Sequence, residues 1–197
     1  MVLRGSYTEA GDRGRICVAP GDVVFHGAYE SHLNDVACSG ADVLVVPWRG
    51  EIVSALGRID DVDAVVRAAE ADMDAASDLV ARTVSLLAVA PIDWPDRLAE
   101  AIRSDLALNL EAWAEAHGLR PETLSRGFRR AYGTTAVAYR ARLRTLRAMA
   151  ALGSGKSLAR IAVDCGFSDQ AHLTRSFSAL TGTTPAAWRR RPSRETA

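Results

Sequence analysis

Residues 124–140 read LSRGFRRAYGTTAVAYR, and residues 173–189 read LTRSFSALTGTTPAAWR. The second stretch begins forty-nine positions after the first, and eight of its seventeen positions are identical. A duplicated stretch that keeps its apolar and glycine positions predicts two copies of one supersecondary unit. Leu124 and Phe128, and Leu173 and Phe177, stand four apart and mark one inward helix face in each copy. A Gly-Thr-Thr follows in both, with Thr135 and Thr184 placed to cap the next helix. Pro185 then fits the first helical position, where its missing N–H costs nothing. Tyr139 and Trp188 share a repeat position and read as core aromatics. Val137, Tyr139, Leu143, Leu146 and Ala150 predict an apolar stripe on a helix about five turns long.

The residues before each copy extend the unit. LEAWAEAHGLRPET precedes the first and SLARIAVDCGFSDQAH the second. Both hold an alanine, a glycine four positions on, and then an apolar residue: Ala114, Gly118, Leu119 and Ala162, Gly166, Phe167. This is a helix-turn-helix pattern. The alanine lets two helices cross closely, the glycine ends the first helix in the left-handed conformation, and the apolar residue plugs the gap. From glycine to the next leucine is six positions in the first copy and seven in the second. Ser168 is the expected N-cap of the second recognition helix. The corresponding Arg120 is a poor cap, so the first recognition helix is expected to start less cleanly, although Pro121 suits a first turn.

Charge divides the chain at the same place. Residues 1–104 hold nine basic and seventeen acidic side chains, net −8, and residues 105–197 hold fifteen and seven, net +8. An acidic half joined to a basic half suggests two domains, with a polyanion as the partner of the second. Lys156 is the single lysine. Arginine suits bidentate contacts to phosphate and guanine, and a GC-rich genome would enrich it as well. Hydrophobic residues make up 48% of the chain, which predicts packed cores. No apolar run reaches the roughly 18 residues of a membrane helix, and the N-terminus lacks a secretion signal. Cys17, Cys38 and Cys165 are odd in number without a CxxC, so neither a disulfide scaffold nor a zinc ribbon is expected. That pattern fits a reducing, cytoplasmic location.

LSRGFRRAYGTT…YRARLR, LARIAVDCGFSDQAHLTRSFSALTGTTPAAWR and the spacing between them resemble the AraC/XylS family of bacterial transcription regulators. The resemblance covers about residues 100–191. It implies two helix-turn-helix subdomains joined by a long helix, each second helix lying in a major groove of double-stranded DNA. Carried over by position, it implies that the first recognition helix offers Glu122, Thr123, Ser125, Arg126 and Arg129. The second would offer Asp169, Gln170, Ala171, His172, Thr174 and Arg175, with Ser168 at its start. Arg126 and Arg175 are suited to guanine and Gln170 to adenine. Arg130, Arg140, Lys156, Arg189 and Arg190 read as phosphate or scaffold charges. Either of Arg126 and Arg175 has the alternative of a structural ion pair, Asp169 that of complementing the helix N-terminus, and His172 that of a neutral surface residue.

The first half has a different texture. RICVAP, GDVVFH and ADVLVVPW are short apolar runs punctuated by glycine and proline over residues 15–57, and predict strands. Residues 60–90 are alanine-rich, with Val62, Val65, Val66, Leu79, Val80, Val84 and Leu87 at helical spacing. PIDWPD, at 91–96, reads as a linker. APGDVVFHGAYESHLND resembles the start of a cupin sensor domain, but the β span is too short for a whole barrel. An incomplete jelly-roll sheet closed by the helices of 60–90 is expected. His26, Glu30 and His32 have ligand chemistry, but their H-x3-E-x-H spacing departs from the H-x-H then Glu order of cupin enzymes, and no metal or cofactor is expected. The alternatives are ordinary hydrogen-bonded histidines or an effector pocket lined by Phe25, His26, Tyr29, Glu30 and His32.

The expected fold is therefore α+β. A truncated cupin-like domain occupies 1–96, a tandem helix-turn-helix domain 97–191, and a flexible tail 192–197. The expected function is sequence-specific transcription regulation modulated by a small molecule, with RNA polymerase and a second copy as further partners. The alternatives are an effector-independent regulator and a metal-dependent cupin enzyme. No nucleophile–base arrangement is visible, so no enzyme activity is expected.

Overall fold

The structure, a computed structural model, describes residues 1–190. The tail expected at 192–197 lies outside the described residues. The chain is α+β and divides into two compact units, one spanning Met1–Ile92 and one beginning at Asp93.

The first unit holds two three-stranded antiparallel sheets. β1 (Val2–Gly11) lies between β2 (Gly14–Val18) and β4 (His32–Val43), while β5 (Leu56–Arg58) lies between β3 (Asp22–Val24) and β6 (Ser85–Leu87). Register in the first sheet sets Gly11 opposite His32 and Glu9 opposite Asn34. The β1–β4 register shifts between Gly5 and Tyr7. Gly5 there has φ +71°, and a Cβ on it would lie 2.0 Å from the Gly40 carbonyl oxygen. Only glycine permits that approach. Helices α1 (Val62–Ala71) and α2 (Met73–Thr83) join the second sheet in a core of Val23, Phe25, Ile59, Val65, Ala76 and Val80.

Three details differ from the sequence expectation. β1 was not anticipated, because VLRGSYTEAG alternates poorly and acquires its burial from its two neighbours. The helical span expected at 60–90 is two helices and a strand. Asp72 ends α1, and its carboxylate accepts from the backbone N–H groups of Asp74 and Ala75 to start α2. The run ADVLVVPW is β only as far as Val43, and Val45 is 80% exposed.

The second unit is helical throughout its described residues. α3 (Trp94–Ser104) takes up the second half of the two-proline stretch, with Pro95 buried in its first turn. Then come α4 (Leu110–Ala116), α5 (Pro121–Tyr132), α6 (Ala136–Ala151), α7 (Leu158–Asp164), α8 (Gln170–Thr181) and α9 (Pro185–Arg189). Phe128, Tyr132 and Tyr139 pack in one core, Phe128 and Tyr132 stacked with centroids 4.7 Å apart and Tyr139 edge-on to both. Leu152, Ile161, Phe167, Leu173 and Phe177 form the second, with Trp188 packed against it. The stripe expected on α6 is corrected. Val137 is 59% exposed, and the buried positions of α6 are Ala136, Tyr139, Thr145 and Ala148. Thr145 is tolerated there because its hydroxyl donates to the Ala141 carbonyl.

Candidate nucleic-acid interface

The two repeat units superpose in their local bonding. Gly118 (φ +65°) and Gly166 (φ +78°) end α4 and α7 in the left-handed region. The Leu119 N–H donates to the Ala114 carbonyl and the Phe167 N–H to the Ala162 carbonyl, each at 2.9 Å. These are the bonds of a glycine-terminated helix end. α4 and α7 have seven residues each, and α5 and α8 have twelve each. Leu124 and Leu173 are both the fourth residue of their helices. The extra residue of the second copy therefore lies wholly in the turn, and Arg120 corresponds to Asp169.

That correspondence corrects one expectation. The N-cap of α8 is Asp169, not Ser168: its carboxylate accepts from the His172 N–H at 2.7 Å. The Ser168 hydroxyl donates to the same carboxylate at 3.1 Å and lies 3.2 Å from His172 Nδ1. These bonds hold the Asp169 carboxyl below its ordinary pKa, the His172 N–H first and the Ser168 hydroxyl next. Arg120, with no carboxylate to offer, begins α5 without a side-chain cap. Thr135 and Thr184 cap α6 and α9 through the N–H groups of Ala138 and Ala187.

On α5, Glu122, Thr123, Ser125, Arg126, Arg129 and Arg130 are all exposed, while Leu124 and Phe128 are buried. On α8, Gln170, Ala171 and Arg175 are exposed, and His172 and Thr174 half-buried. The Thr174 hydroxyl donates to the Gln170 carbonyl of its own helix. The His172 ring meets Phe167 edge-on, centroids 5.2 Å apart. Ser168 and Asp169 are exposed at the start of the helix. Each recognition helix thus presents a continuous polar face opposite an apolar one.

The other basic side chains separate into roles. Arg140 donates to the Leu108 carbonyl at 2.8 Å, and Arg189 to the Leu152 carbonyl at 3.1 Å. Both occupy the last position of the repeat, and both tie the helix after a recognition helix to the backbone leading into that unit. They are scaffold charges. Lys156 pairs with Asp164 at 2.9 Å, and that bond, with Arg160 beside it, keeps the Asp164 carboxyl below its usual pKa.

In the first unit, Phe25 and His26 line a cavity of about 300 Å³ with Tyr7, Glu9, Asn34, Leu44, Val46 and Trp48. Glu30 and His32 border an adjoining crevice that Phe25 and His26 share. Tyr29 borders neither and is 39% exposed. Glu30 does not join the histidines: Arg13 Nε donates to both its oxygens at 2.8 and 2.9 Å, and the Gly27 N–H adds a third bond. The carboxylate that does is Glu9, on β1, whose Oε2 lies 3.4 Å from His26 Nε2. Burial, and secondarily the charge of Glu30, push its pKa up to about 7. Sequence reasoning missed Glu9 because only strand pairing brings it to residues 26 and 32.

A family model described as a helix-turn-helix domain matches residues 113–191. Among solved structures, the chain is similar to a probable AraC family transcriptional regulator from Rhodopseudomonas palustris at 22% identity and TM-score 0.45, over 48% of this chain and 92% of that one. It is similar to the C-terminal domain of AraT, a response regulator from Geobacillus stearothermophilus, at 25% and 0.47, over 56% and 95%. A third similarity is to the DNA-binding domain of AdpA, a global transcriptional factor, in complex with a target DNA, at 25% and 0.46, over 49% and 90%. No curated protein sequence is a significant match. No helix of the described residues is long and apolar enough to cross a membrane.

Proposed function

We propose that the protein is a sequence-specific DNA-binding transcription regulator that reads two successive major-groove segments with α5 and α8. The carrying observation is the local equivalence of the two units: recognition helices of equal length in the same register, differing on their exposed faces. On this reading Arg126 and Arg175 pair with guanine O6 and N7, and Gln170 with adenine. Thr123, Ser125, Arg129, Ala171, His172 and Thr174 complete the base-facing surfaces. Arg130 and Ser168 contact phosphate, which fixes position rather than sequence. Asp169 acts through the turn it caps.

Because the faces differ, with Glu122-Thr123 in one unit where the other has Ala171-His172, the two half-sites differ. Selection from a random DNA pool with the full chain should return an asymmetric site of roughly 20 base pairs, two segments about one helical turn apart. Recovery of a short perfect palindrome would overturn the single-chain reading. The cavity beside Phe25 and His26 supports a small-molecule effector site that changes DNA affinity from the first unit. Equal DNA affinity across a metabolite panel would leave effector-independent regulation as the better description.

A further inference from the structure

The Glu9 carboxylate is the least explained charge in the first unit. Glu9 is 5% exposed, and its Oε2 has no hydrogen-bond partner among the described residues. A buried anion without donors is costly unless a cation sits against it. Two imidazoles stand where such a cation would be shared. His26 Nε2 is 3.4 Å from the orphaned oxygen, and the His32 ring stacks on His26 with centroids 4.3 Å apart. One donor atom from each of Glu9, His26 and His32 lies within 4.8 Å of the other two.

The fold explains the convergence. His32 opens β4 directly opposite Gly11. Gly11 is two residues from Glu9, so His32 and Glu9 lie on the same face of the sheet. His26 follows β3 and brings its ring from the second sheet. Glu30, the nearby competitor, is occupied by Arg13.

We propose that Glu9, His26 and His32 bind a divalent transition-metal ion of the zinc class. Two imidazole nitrogens and one carboxylate oxygen are an ordinary ligand set for such ions, with further positions left for water or an added ligand. Bonds of about 2.0–2.1 Å at tetrahedral angles set ligand atoms roughly 3.3 Å apart. The Glu9–His26 pair is at that spacing, and the exposed His32 ring closes the remainder by side-chain rotation. The site borders the cavity described above, since Glu9 and His26 line both.

The test is zinc affinity of the full chain, measured against a chromophoric chelator, together with the visible spectrum of the cobalt(II)-loaded protein. Expected are one tight ion per chain and a cobalt spectrum without thiolate charge-transfer bands. Glu9→Gln and His32→Ala should each weaken binding on the order of 100-fold or more, since even outer-shell changes cost 10–100-fold. Cys17→Ser with Cys38→Ser should leave affinity and spectrum unchanged, because both thiols are exposed candidates for adventitious zinc. Circular dichroism of the metal-free variants verifies that each folds. Absence of stoichiometric zinc, native-like affinity in Glu9→Gln, or loss of binding in the cysteine double variant would each overturn the proposal.

Discussion

At the scale of single residues, a polar side chain's sequence position says less than its bonding. Asp169 stands where a base-reading residue was expected, yet its carboxylate is committed to the His172 N–H and the Ser168 hydroxyl. Its folded-state pKa lies below the ordinary carboxylate value, so its contribution to stability is present above that value and is lost as pH falls through the folded pKa. Asp169→Ala should therefore lower Tm at pH 7, and the difference from native protein should shrink in acid. Asp169→Asn, which keeps an acceptor at the cap, should lower it less. Thermal melts at pH 7 and pH 3 decide this, and a difference that does not change with pH would refute it. Arg140 and Arg189 illustrate the same point. Their repetition alone left phosphate and scaffold roles open, and their bonds to the Leu108 and Leu152 carbonyls assign the scaffold.

At the scale of elements, the helical half was legible because its signals are local. Glycine ends, threonine caps and i, i+4 apolar pairs act within a few residues. The first half depends on distant partners. β1 carries no strong alternation and is defined by pairing with β2 and β4. The break at Asp72 lies between alanine-rich segments without glycine or proline, so a capping aspartate was the one available signal. Serine and two leucines at 85–87 are too short a run to separate helix from strand. Gly127 shows how packing between helices escapes local reading. A Cβ there would lie 2.3 Å from a ring carbon of Trp94, which α3 lays across α5. Glycine inside a helix ordinarily costs about 1 kcal/mol relative to alanine, whereas overpacking costs about 1–3 kcal/mol. Gly127→Ala should therefore fail to stabilise and should cost up to about 2 kcal/mol. In a Trp94→Ala background the same change should turn neutral or favourable. A double-mutant cycle in urea measures the coupling, and additive effects would show that Trp94 moves aside freely.

At the scale of the whole molecule, the balance of charge matters more than its sum. The net charge is zero, but the residues from 105 onward carry +8. Part of the acidity of the first half is structural, since Asp61 and Asp72 cap α1 and α2. Part of the basicity of the second is structural as well, in Arg140, Arg189 and Lys156. Among what remains for a polyanion is the exposed set on the recognition helices, Arg126, Arg129, Arg130 and Arg175. If DNA is that polyanion, two substitutions should behave differently although each removes one positive charge. Arg130→Ala should weaken binding to all sequences alike and reduce the slope of log affinity against log salt by about 1, as loss of one phosphate contact requires. Arg175→Ala should relax preference at a single base pair in the second half-site, with discrimination there falling by about 1–3 kcal/mol. Affinities of both variants, measured across a salt series on the selected site and on all single-base changes of it, separate the roles. Uniform weakening by Arg175→Ala would reassign that arginine to the backbone. A base-specific defect in Arg130→Ala would move the reading face of α5 toward its C-terminal end.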